Sequence, residues 1–253
     1  MKEVVLICKN SEISRIIYNT LKVEKLNITV IVERKETLIN IFRKRLKKYG
    51  ILISLSQGFF YIMYFILKKI SFKRILEIKK SYKISFKKIP TSKLYYIKNI
   101  NSKVLIEYVN KIKPNLVIIN GTRILKNNTI ENILCPIINI HMGITPKYRG
   151  VHGGYWALVN QDKNKFGVTI HRVDKGIDTG EVIAQKVLNI SRNDNISTYP
   201  YLQAAAAMKL LKDIIEKDIK ANHSNIRNLK IYKIWHHPTI IEYIVNRFNR
   251  KVK

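Results

Sequence analysis

A strand, a helix and a second strand fit inside the first 33 residues, and that order leaves few folds open. Residues 4–8 form a continuous apolar run. Ser11 stands where a helix N-cap belongs, and Ile13, Ile16, Ile17 and Leu21 recur at helical spacing. Residues 28–32 are a second apolar run rich in β-branched side chains. A helix crossing between two such strands makes a βαβ unit, and that unit requires a parallel sheet.

The alternation resumes after residue 90. Residues 94–97 predict a strand, and Ser102 caps a helix carrying Val104, Leu105, Tyr108, Val109 and Ile112, which Pro114 ends. The run at 116–119 shows no polar alternation, as expected of a central strand covered on both faces. Gly121 marks its end, where open α/β sheets bind ligands. A short helix at 129–134, a strand at 137–140 and a helix at 155–160 follow. Next come two neighbouring strands at 167–171 and 181–190, then a long helix at 198–220 whose run Ala204, Ala205, Ala206 and Ala207 suits close packing. The expected fold is α/β: a Rossmann-like, mostly parallel sheet with helices on both faces. It spans 1–221, with a basic helical insertion at 36–90 and a short C-terminal extension at 222–253 that folds back onto the domain.

Within the insertion, Arg43, Lys44, Arg45, Lys47 and Lys48 precede an uncharged run at 49–67, which Lys68 and Lys69 close. The run barely reaches the roughly 20 apolar residues a spanning helix needs, and Ser54, Ser56, Gln57 and Gly58 lie near its middle. The expectation is a helix buried against the α/β domain. The alternative is an interfacial segment at 43–69 whose lysines meet anionic lipid headgroups.

The net charge is +30, from 47 Lys and Arg against 17 Asp and Glu. An excess of this size suits nucleic acid, anionic lipid or a phosphorylated ligand. An AT-rich codon bias, visible in the abundance of Ile, Asn, Tyr and Lys, accounts for it equally well. Cys8 and Cys135 are the only cysteines, too few for a disulfide framework or a zinc site. The N-terminus lacks the features of a signal peptide, so the expected location is the cytoplasm, with peripheral contact at the inner face of a membrane as the variant.

Candidate chemistry sits at strand ends. Asn139 and His141 share a face of the strand at 137–140, while Ile138 and Ile140 take the other. An amide and an imidazole placed side by side can both donate to one oxygen, as oxyanion stabilisation in acyl transfer requires. The strand at 167–171 delivers His171, and the following loop, with Gly176 and Gly180, presents Asp178. A carboxylate there can hold His141 protonated or accept a proton through water.

The segment NIHMGITPKYRGVHGGYWALVNQDKNKFGVTIHRVDKGIDTGEVIAQ resembles the core of the folate-dependent formyltransferases, a family that includes glycinamide ribonucleotide, methionyl-tRNA and sugar N-formyltransferases. The resemblance implies transfer of a formyl group from 10-formyltetrahydrofolate to a primary amine without a metal. Asn139 and His141 would hold the formyl oxygen, Asp178 would assist His141, and Thr122, Arg123, Ile124 and Leu125 would line the pteridine pocket. Two departures bear on the acceptor. Met142, Gly143, Ile144, Thr145 and Pro146 replace the family's usual Ser-Leu-Leu-Pro, and the loop from Lys9 to Ile13 lacks the glycines that cradle a ribonucleotide phosphate. The stretch after Asn222 is too short for the barrel with which the tRNA enzyme grips nucleic acid. The expected acceptor is therefore a small amine, best a nucleotide-linked amino sugar, with Lys147, Arg149 and His152 as candidate diphosphate contacts. Glycinamide ribonucleotide is the alternative acceptor. A reading of another class is a basic membrane- or RNA-binding protein with a relic active site.

Overall fold

A computed structural model describes residues 2–24, 26–216 and 232–253. The chain order is β1 (Glu3–Cys8), α1 (Glu12–Val23), β2 (Asn27–Glu33), α2 (Leu38–Ile70), α3 (Phe72–Ser81), β3 (Leu94–Ile97), α4 (Lys103–Ile112), β4 (Leu116–Asn120) and α5 (Asn127–Asn132). It continues with β5 (Ile137–His141), β6 (Arg149–Gly150), α6 (Gly153–Val159), β7 (Gly167–Arg172), β8 (Val182–Val187), α7 (Tyr199–Glu216), β9 (Ile234–Trp235) and α8 (Ile240–Asn249). The end of the long helix and the expected boundary at 221–222 lie outside the described residues.

Seven strands form one sheet in the order β3-β2-β1-β4-β5-β7-β8. The first five are mutually parallel. β7 turns antiparallel to β5, and β8 antiparallel to β7. This reversal makes Asn139 and His171 direct cross-strand partners.

Strand alternation divides the core. Val4, Leu6 and Cys8 enter one apolar cluster together with Ile138, Ile140 and the alanines of α7, while Val5, Ile7, Val117, Ile119 and Ile137 enter a second beneath α4. Helices thus cover both faces, as the unbroken apolar runs of β1 and β4 require. Side chains buried this deeply contribute about 1.5–3 kcal/mol each. Local signals set the helix starts. Ser11 Oγ accepts from the Ser14 N–H, and Ser102 Oγ from the Leu105 N–H. Both cysteines are free thiols.

The insertion is helical but is not buried as expected. α2 turns sharply at Gly50, whose φ of 78° is a left-handed conformation open to glycine. Beyond it, only Ser54, Gln57 and Phe60 are buried; Met63, Tyr64 and Leu67 pack partly against the aromatic core, and a second apolar stripe that includes Leu52, Phe59 and Ile62 faces outward. Near the C-terminus, β9 pairs with β6 and α8 packs on α2. A third aromatic core, built from Phe60, Tyr148, Tyr155, Trp156, Phe166 and Tyr243, joins these pieces.

Candidate active site

A cleft of about 680 Å³ opens at the C-terminal ends of β4 and β5, a size typical of small-molecule sites. Three of the expected groups converge in it. Asn139 Nδ2 donates to Asp178 Oδ1 at 3.1 Å. His141 Nδ1 faces Asp178 Oδ2 at 3.3 Å, and His141 Nε2 donates to the Tyr148 carbonyl at 2.7 Å. Both ring nitrogens of His141 therefore meet oxygen acceptors, and the protonated ring is the form that donates to each.

Asp178 is the hub. Burial works against its charge. The neighbouring His141, a contact with His171 and the Gly150 N–H, which donates at 2.8 Å, outweigh that cost and hold the carboxyl well below the usual carboxylate range. The positive φ in this loop falls on Asp178, at 51°, and not on Gly176 or Gly180. Gly176 and Gly180 are needed for room: an added Cβ would collide with Thr179 or with the Arg172 carbonyl.

Thr122, Arg123, Ile124 and Leu125 all line the cleft. The Arg123 side chain is turned to Glu33, Glu36 and the Lys98 carbonyl, and the Arg123 N–H also donates to Glu33 at 3.0 Å. Arg123 thus braces the loop, and the cleft receives Leu125 and backbone. His152 lines the cleft, but Lys147 and Arg149 do not. Lys147 is bound to Asp162 at 2.7 Å, and Arg149 is buried with its guanidinium on the Tyr232 carbonyl. As placed, neither cation is directed at a diphosphate, because a nearer acceptor holds it.

His171, delivered by its strand as the sequence indicates, stands 3.2 Å from Asn139 Nδ2. Other lining residues carry no local signal in the sequence. His237 meets His152 at 3.2 Å. Burial lowers His152 to about 4, and burial with nearby cationic groups lowers His237 to about 3, so both are neutral near pH 7. Lys9 and Lys48 add positive charge at the rim. The C-terminal extension brings His237 from far along the chain, and no local motif announces it.

The sequence model for formyl transferase matches residues 1–215. The chain belongs to the formyl transferase family. The bifunctional polymyxin resistance protein ArnA of Wigglesworthia glossinidia brevipalpis is 31% identical over 134 residues, which cover 53% of this chain and 20% of that protein. The methionyl-tRNA formyltransferase of Finegoldia magna is 35% identical over 88 residues, 34% of this chain and 28% of that protein. The matched segments thus span well under half the length of these relatives. A sugar N-formyltransferase from a Shewanella species superposes with a TM-score of 0.58 over 97% of this chain and 87% of that one. At 19% identity, this last likeness concerns the fold. In this member of the family, the cleft lies at the carboxyl ends of the parallel strands, as in open α/β sheets generally.

Proposed function

We propose that the protein transfers a formyl group from 10-formyltetrahydrofolate to the primary amine of a small substrate, best a nucleotide-linked amino sugar. The observation that carries this reading is the junction of Asn139, His141 and Asp178 around one point of the cleft. The cleft suits the folate: Leu125, Ile119 and Val173 give it apolar wall, and the loop at 121–125 offers backbone groups at its rim. When bound, the folate supplies the formyl group.

The side chains divide the remaining work. Asn139 and His141 swing an N–H from their internal acceptors to the formyl oxygen, where negative charge gathers as the amine attacks. Asp178 orients His141 and, through water, takes the proton that the amine sheds as its bond to the formyl carbon forms; that proton passes to the folate nitrogen, whose bond to the formyl carbon breaks. His171 keeps the Asn139 amide oriented.

The acceptor follows from three supports. The loop after β1 lacks a glycine cradle for a ribonucleotide phosphate. Lys9 and Lys48 leave the rim cationic, which suits an anionic acceptor. The Shewanella protein of like fold is a sugar N-formyltransferase. The test is to incubate the purified chain with 10-formyltetrahydrofolate and candidate amines and to follow tetrahydrofolate release. Turnover with a nucleotide amino sugar is the expected result. Turnover with glycinamide ribonucleotide alone would replace the acceptor, and none with any amine would overturn the reading.

A further inference from the structure

The second part of α2 is apolar on both sides. Its inner face sets Phe60 into the aromatic core with Met63, Tyr64 and Leu67 against it, and Gln57 Nε2 donates to the His237 carbonyl at 2.9 Å. Its outer face carries Leu52, Leu55, Phe59, Ile62 and Ile66, spaced three or four residues apart along one helical stripe. Leu52 is 81% exposed, Phe59 60% and Ile62 59%. A helix packed on a soluble domain turns its apolar stripe inward. α8, which packs on α2, repeats the pattern: Ile240 and Tyr243 face in, while Ile241, Ile244, Val245 and Phe248 face out, Phe248 75% exposed. Two adjoining helices thus expose an apolar surface of the kind that marks an interaction site.

Charge identifies the occupant. Residues 37–76 hold nine Lys and Arg and no Asp or Glu. Arg43, Lys44, Arg45, Lys47 and Lys48 stand at one end of the uncharged stretch, and Lys68, Lys69 and Lys73 at the other. An apolar stripe between two cationic clusters matches the acyl layer and headgroups of an anionic bilayer. By length and composition α2 could also cross a membrane. Crossing would strip Gln57 from His237, Phe60 from the rings of His152 and Tyr243, and Lys68 from Glu12. These contacts keep the helix lying flat.

We propose that the outer faces of α2 and α8 seat the protein on an anionic lipid surface. The proposal stands apart from the chemistry of the cleft, although α2 also backs the cleft wall through Phe60 and His152. The test is flotation of the full chain with vesicles of phosphatidylcholine and phosphatidylglycerol, and with phosphatidylcholine alone. Strong flotation with the mixed vesicles and weak flotation with the neutral ones is expected. The double variant Phe59→Asp with Ile62→Asp, its fold checked by circular dichroism, should partition at least roughly tenfold less. Lys47→Glu with Lys69→Glu should weaken binding to the mixed vesicles only. Failure of the unaltered chain to float, or undiminished flotation of the aspartate variant, overturns the proposal. So does a non-floating dimer that the aspartate variant turns into monomer, which would assign the face to a second copy.

Discussion

Asp178 Oδ1 accepts from Asn139 Nδ2 at 3.1 Å, on a residue whose own backbone is held at φ 51°. Its second oxygen faces His141 Nδ1 at 3.3 Å and accepts from the Gly150 N–H. One carboxylate thereby fixes both expected donors and ties them to the loop carrying β6. A left-handed conformation at a non-glycine residue costs on the order of 1 kcal/mol or more and persists where surrounding contacts over-determine it. Here those contacts are the site itself.

Replacement of His141 by alanine should lower kcat by on the order of a hundredfold or more, the usual effect of losing an oxyanion donor. Steady-state tetrahydrofolate release measures it. An unchanged rate would remove His141 from the chemistry.

Asp178→Asn keeps the shape but removes the negative charge that His141 Nδ1 faces. We expect kcat to fall by a factor on the order of a hundred with KM little changed, because the interaction acts mainly as charge develops. A loss confined to KM would instead make Asp178 a binding residue.

Gly143 has no room for a side chain. An added Cβ would lie 2.6 Å from the Tyr148 carbonyl and 2.8 Å from His141 Nε2. Gly143→Ala should displace the imidazole, cutting activity at least roughly tenfold and destabilising the fold by about 1–3 kcal/mol. Thermal unfolding and turnover should fall together.

The pair His152 and His237 predicts a pH dependence of stability. Both folded-state values lie below the ordinary histidine value, at about 4 and about 3. As pH falls below about 6.5, the unfolded chain binds protons first, so the folded state loses stability between pH 6.5 and about 3. For His152 the loss is on the order of 3 kcal/mol. In His152→Gln the decline in denaturation midpoint over this range should be shallower; an equal decline would assign the effect elsewhere.

Glu33→Gln tests the brace behind the donor loop. The Glu33 carboxylate is buried and accepts from both the backbone and the side chain of Arg123. Weakening it should let the 122–125 loop drift, raising KM for the formyl donor about tenfold while kcat stays within about twofold. A fall in kcat alone would contradict this role.

The strands and helix starts were readable because their causes are local. An apolar run must be covered on both faces, and Ser11 or Ser102 meets a free N–H three residues on. Alternation along β5 likewise put Asn139 and His141 on one face before any fold was known. The insertion misled for a physical reason: apolarity shows that a helix avoids water, but not which side of it the protein covers. Lys147 and Arg149 misled because a cation near a site binds whichever acceptor is closest, and Asp162 and the Tyr232 carbonyl were closer.

The sequence by itself determined the βαβ opening, the buried parallel strands and the residue types at the ends of β5 and β7. Tertiary structure decided the reversal of β7, the meeting of Asp178 with Asn139 and His141, and the return of His237 from the C-terminal extension. Hydrogen bonds within a turn and side-chain periodicity act over a few residues, so they are written in local order. Contacts between residues far apart along the chain depend on how the whole sheet closes, and no local pattern carries that information.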